Sequence, residues 1–207
     1  MKAESLVFGI AGVFLGLMAG WMIGSQHRVP PAPRPAEQAA APAEAGASGA
    51  SAQARPALDE AAVKRLTDLV ARDPANVTPR VQLGNLYFDA ERYGDAAHWY
   101  EQALEVDPTN ADVSTDLGVC YYYQNEPDKA LAQFKRSLDI DPKHTKTMLN
   151  EGIVLAFGKQ DLDGAARAWR RVLELAPSSP EGQAARRALD ALRAAHPDIA
   201  GKAPEGT

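Results

Sequence analysis

Three kinds of hydrophobic patterning succeed one another along the chain: an unbroken apolar run, a stretch almost without large apolar side chains, and a long segment of helical periodicity. Ser5 to Gln26 carries no charge and is rich in Leu, Val, Ile, Phe, Met and Gly. As a helix it would span roughly 33 Å, enough to cross a hydrocarbon core. It is therefore expected to be a transmembrane anchor over residues 5–26. The leader before it is short and no Ala-x-Ala site follows promptly, so the anchor is expected to stay uncleaved. Gly12, Gly16, Gly20 and Gly24 recur every fourth residue and would form one smooth helix face, the geometry for close helix pairing in lipid and hence for a homo-oligomer. Residues 27–56 change to Pro, Ala, Gly, Ser and Gln; such a segment cannot bury enough surface to offset its ordering entropy, so it reads as a disordered linker.

From residue 57 to 195 apolar positions follow the three-four rule, and they do so with a longer period superimposed. Pro74, Pro108, Pro142 and Pro177 are 34, 34 and 35 residues apart. Gly84, Gly118 and Gly152 keep the step of 34, as do Tyr87, Tyr121 and Leu155. Ala96, Ala130 and Ala165 correspond, each followed four residues later by an aromatic: Tyr100, Phe134 and Trp169. Each unit reads as two amphipathic helices closed by proline. The extra residue of the last unit is expected in the turn from Gly158 to Gly164. Leu58 to Arg72 reads as the second helix of an incomplete unit, because Ala62, Leu66 and Leu69 fall in the same register. Ser179-Pro180-Glu181 is a helix start opening a capping helix to about Ala195, and residues 196–207 read as a flexible tail.

The chain resembles the tetratricopeptide repeat family at Leu83-Gly84, Tyr87, Ala96, Tyr100, Ala103 and Pro108, and again at Leu117-Gly118, Tyr121, Ala130, Phe134 and Pro142, with Ser137 at a small-residue position. The third unit departs from it, with Glu151 in place of leucine before Gly152 and Leu155 in place of tyrosine. The resemblance covers about Ala57 to Ala195. It implies an all-α solenoid of about three helix-turn-helix repeats, a leading half repeat and a capping helix, with a binding groove lined by the first helix of each unit. On that register the groove is expected to be formed by Asn85, Phe88, Asp89, Thr115, Asp116, Val119, Tyr122, Tyr123, Leu149, Asn150, Ile153 and Phe157. Phe88, Tyr123 and Phe157 are equally readable as packing between helices. Some members of the family clamp a ligand's terminal carboxylate. Asn85 and Lys146 match places in that pattern, but Val81 stands where a lysine is needed and Asp116 would repel a carboxylate, so that mode is rejected.

Composition narrows the function. A net charge of -5 argues against a general nucleic-acid binder, which needs a basic excess. One cysteine, Cys120, excludes an internal disulfide framework. The four histidines are too scattered to converge on a metal, and no phosphate loop or nucleophile motif is present, so neither cofactor nor catalysis is expected. Asp89, Asp112 and Asp116 form an acidic edge. The reading is a membrane-anchored adaptor or assembly factor that holds a protein or peptide client, bound to lipid by its N-terminal helix. By analogy it sits in a bacterial inner membrane with the repeats in the periplasm. The alternatives are an oligomeric structural spacer built through the glycine-striped helix, or a cytosol-facing receptor if the topology is reversed.

Overall fold

The computed structural model describes residues 56–196. The anchor expected over residues 5–26, its glycines Gly12, Gly16, Gly20 and Gly24, the linker up to residue 55 and the tail from residue 197 lie outside these residues. No helix among the described residues is long and apolar enough to cross a membrane.

The described residues form α-helices in succession: α1 (Glu60–Arg72), α2 (Thr78–Asp89), α3 (Tyr93–Val106), α4 (Ala111–Tyr123), α5 (Pro127–Ile140), α6 (Thr145–Ile153), α7 (Leu162–Leu175) and α8 (Pro180–Ala195). Local chemistry sets their ends. Asp59, Asn110, Asp161 and Ser179 each accept a hydrogen bond from the backbone N–H three residues ahead, satisfying a donor that has no partner within the helix. Pro79, Pro127 and Pro180 sit in first turns, where a missing N–H costs nothing. At the far ends, Asp107 and Asp141 leave the helical region immediately before Pro108 and Pro142.

Within each pair the second helix drops one large ring onto the glycine of the first. Tyr100 lies against Gly84, Phe134 against Gly118 and Trp169 against Gly152. All three rings are buried, as are the companion alanines Ala96, Ala130 and Ala165. The indole N–H of Trp169 donates to the carbonyl of Leu149 at 3.2 Å, so the largest side chain of the core carries no unmet donor. α8 closes the array with Ala185, Ala188 and Leu189 buried, while Arg186, Arg187, Asp190 and Arg193 remain exposed.

The extra residue of the third unit is not in its turn. The three turns between paired helices are equal in length and share a left-handed residue at the same place: Glu91 (φ 56°), Asn125 (φ 63°) and Gln160 (φ 57°). The insertion is instead absorbed within the helix, where α6 widens into a π-helical turn, Val154–Gly158, with Lys159 N–H bonded to the Val154 carbonyl at 3.0 Å. Keeping the turn intact preserves the docking of α7, whereas one wide turn costs only local hydrogen-bond geometry.

Candidate functional site

α4 touches α6, and α6 touches α8, more closely than successive second helices approach one another, which puts the first helices on the inner side of the curve. On that side the side chains form three groups.

The first group is polar and open. Asn85 and Asp89 are exposed on α2, and Asn85 accepts a hydrogen bond from the buried Tyr100 hydroxyl at 2.7 Å. Although Asp89 is exposed as a residue, partial desolvation of its carboxyl raises it above its ordinary value. On the next unit the Lys146 ammonium sits 2.7 Å from Asp116 and 3.7 Å from Asp112. The His144 Nε2 lies 3.3 Å from Asp112. Burial also raises the Asp116 carboxyl, even with Lys146 beside it. Lys146 is thus shared between two carboxylates, Asp112 and Asp116. The inner face is net negative, and its one amine on this patch is occupied.

The second group is a buried hydroxyl knot. Thr115 was expected on the groove, but it is 0 % exposed and turned into the junction between the second and third units. Its Oγ1 lies 2.9 Å from Ser137 Oγ and 2.6 Å from Thr147 Oγ1, and Ser137 lies 2.8 Å from Thr147. Thr115 and Ser137 both donate to the Ala111 carbonyl, at 2.7 and 2.8 Å. His144 Nδ1 completes the knot 2.6 Å from Thr147. The order Asp112, His144, Thr147 superficially matches a nucleophile triad. The Thr147 hydroxyl is fully buried, however, and the hydrogen bonds tie the second unit to the third.

The third group is aromatic. Tyr93 and Tyr123 stack with centroids 4.4 Å apart, and Phe88 meets both edge-on at 5.2 and 5.7 Å. Tyr122 stands 5.9 Å from Tyr123 and borders Gly158. Phe88 and Tyr123 are therefore half-buried in a cluster that locks the turns of the first two units, while Phe157 is exposed.

Of the other residues expected to line the groove, Val119, Leu149 and Asn150 are buried. Asn150 donates to the Lys146 carbonyl one turn earlier at 2.9 Å, and Val119 joins the core around Phe134. Ile153 and Tyr122 are half-buried. The face a ligand can reach is thus built from Asn85, Asp89, Asp112, Asp116, Tyr122, Ile153 and Phe157. Tyr93, His144 and the pairing of Lys146 escaped the sequence reading, because none occupies a position marked by the 34-residue period.

Residues 81–145 match the family model described as tetratricopeptide repeat. The array has the fold of a tetratricopeptide-repeat solenoid. Solved structures with the same fold include MamA, at 19% identity over 67% of this chain and 82% of that one, with a TM-score of 0.54. A MamA RS-1 double mutant is similar at 22% identity, over 57% of this chain and 66% of that one, with a TM-score of 0.52. The Arabidopsis OM64 tetratricopeptide-repeat domain is similar at 19% identity, over 57% of this chain and 94% of that one, with a TM-score of 0.51. A comparison with curated protein sequences finds no match.

Proposed function

We propose that this protein is an adaptor whose inner face holds a client segment combining basic and apolar side chains. The pairing of Lys146 with Asp116 and Asp112 carries this reading. An amine held at 2.7 Å by one carboxylate, with a second beside it, is not available to a client's terminal carboxylate. Asp89 adds further negative potential at the other end of the patch, and Tyr122, Ile153 and Phe157 offer apolar contact between and beyond the acids. Complementary charge steers association and selects against the wrong partner, while the rings supply contact area at low entropic cost.

The uncharged run from Ser5 to Gln26 supports a membrane tether for this adaptor, with the Pro/Ala-rich stretch giving the array reach. We place the repeats on the periplasmic side of a bacterial inner membrane and assign them no chemical step. A reporter fused after Thr207 that is active only in the cytoplasm would reverse that topology.

The binding reading is tested by fluorescence anisotropy with two labelled peptides of matched length, one alternating lysine and leucine, the other ending in acidic residues and a free carboxylate. The basic peptide should bind, weaken with added salt, and weaken further when Asp89→Asn and Asp116→Asn are combined. Equal or tighter binding of the acidic peptide would overturn the proposal.

A further inference from the structure

We propose that the inner face selects a two-part client segment, a basic side chain held at Asp112 and Asp116 and an apolar anchor held at Tyr122 and Phe157, about four to six extended residues apart. This rests on the adaptor reading and adds to it the spacing of the client's side chains and the residues that select it. Each turn between paired helices has its left-handed residue at Glu91, Asn125 or Gln160, and three positions before each stands a ring: Phe88, Tyr122 and Phe157. Counted back from the turn, which the insertion in the third unit leaves intact, the three rings are equivalent rungs.

The rungs are not equally covered. Phe88 meets Tyr93 and Tyr123 edge-on, so the first rung closes a joint between units. At the next junction Pro127 and Gly158 stand in the places of Tyr93 and Tyr123, and the two covering rings are gone. A Cβ at residue 158 would lie 2.9 Å from Pro127 Cβ and 3.3 Å from Tyr122 Cε2, so no ring fits there. Tyr122 is half-buried beside this glycine. At the third rung Leu162 replaces Tyr93, α8 carries no aromatic residue, and Phe157 is 38 % exposed. The side chains a client's apolar group can reach are therefore concentrated at the turn end of the second and third units.

The carboxylates stand elsewhere. Asp112 and Asp116 lie in the first half of α4, whereas Phe157 lies at the far end of the next first helix. Repeat register sets Asp116 level with Asn150 and Asp112 level with Lys146, seven and eleven residues before Phe157. α4 and α6 touch. With a rise of about 1.5 Å per residue and about 8–10 Å between touching helices, Phe157 is about 14 Å from Asp116 and about 19 Å from Asp112. An extended chain covers that span in about four to six residues. The Asp112 side chain is 69 % exposed, so a client's cation can reach it beside Lys146. At the ring end the nearest amine in sequence, Lys159, is held 2.7 Å from Asp128, which leaves apolar contact as the chemistry on offer.

The test uses the full chain and three labelled peptides of one composition: a lysine pair, a leucine pair and four Ser/Gly residues. Two of them place the four residues between the pairs, in the two possible orders, and the third joins the pairs directly and carries the four residues at its end. By fluorescence anisotropy one of the two spaced peptides should bind about ten-fold tighter than the joined one, the gain from burying leucine at the rings. Phe157→Ala should lower the spaced peptide to the level of the joined one and leave the joined one unchanged. Phe157→Leu, which keeps an apolar surface, should retain most of the preference. Both variants should melt with the parent, because the ring is exposed. Equal affinities for the three peptides, or an equal loss for all three in Phe157→Ala, would overturn the two-part motif while leaving the adaptor reading in place. Failure of all three to bind the parent chain would overturn both.

Discussion

Replacing Gly118 by alanine puts the repeat-defining contact to a direct test. Gly118 lies in the middle of α4, where alanine should stabilise a helix by about 1 kcal/mol through its lower backbone entropy loss. The structure opposes that gain. A Cβ at residue 118 would stand 2.5 Å from Cε1 and 2.7 Å from Cδ1 of Phe134, and 3.3 Å from the Ala130 carbonyl oxygen. Carbon atoms rest at about 3.5–4.0 Å, so the ring or the helix must move by about 1 Å. Phe134 cannot swing away, because it is 0 % exposed and packed with Val119, Ala130 and Val154. Overpacking of this kind costs about 1–3 kcal/mol, and a full ångström belongs at the upper end. The net expectation is a loss of about 2 kcal/mol, read as a fall in Tm of roughly 6–10 °C for a folded region of this size. Urea unfolding followed by circular dichroism measures it at constant temperature. Shortening the ring should then relieve the clash: Phe134→Leu in the Gly118→Ala background should cost less than the sum of the two single changes, with a coupling of about 1 kcal/mol or more. A Gly118→Ala protein as stable as the parent would show that helix spacing here is not set by ring against glycine, and the reasoning from the 34-residue period would fail with it.

Glu151 replaces the leucine that is buried as Leu83 and Leu117 in the other units, and burial raises its carboxyl above the usual range. Its charged form is therefore disfavoured in the folded state; the cost is present in full above the raised folded value and disappears as pH falls below the ordinary 4.5. Glu151→Gln should accordingly raise Tm at pH 7, and the advantage should vanish by about pH 4 in parallel melts. Glu91→Gly should stabilise the array by about 1 kcal/mol in urea titrations, because it removes a side chain from the left-handed region at φ 56°. Thr115→Val should destabilise by about 1–3 kcal/mol while leaving peptide binding unchanged, since it strips the hub from the hydroxyl knot without altering the inner face. Separate loss of client affinity at wild-type stability would return Thr115 to the groove.

The inner face separates what periodicity can reveal from what it cannot. A helix position facing the curve is assigned by counting, and counting placed Asn85, Asp89, Asp116 and Tyr122 on the reachable side. The same count placed Thr115 there. Ser137 and Thr147, from two other helices, offered its hydroxyl partners in the interior, and a polar side chain that can be satisfied inside need not stay outside. Lys146 likewise reads as a free amine until α4 brings Asp112 and Asp116 against it.

The sequence by itself determined the alternation of paired helices, because glycine, alanine, ring and proline at a 34-residue step are local requirements: small residues where helices cross, a ring to fill the gap, a proline that cannot continue the turn. It also determined the register in which α1 presents Ala62, Leu66 and Leu69. Only the tertiary structure decided where the thirty-fifth residue went, which hydroxyls were buried together, and that the lysine of the inner face was already taken. Those outcomes depend on distances between helices far apart in the chain. Such distances follow from how neighbouring units pack, which no single unit's pattern contains.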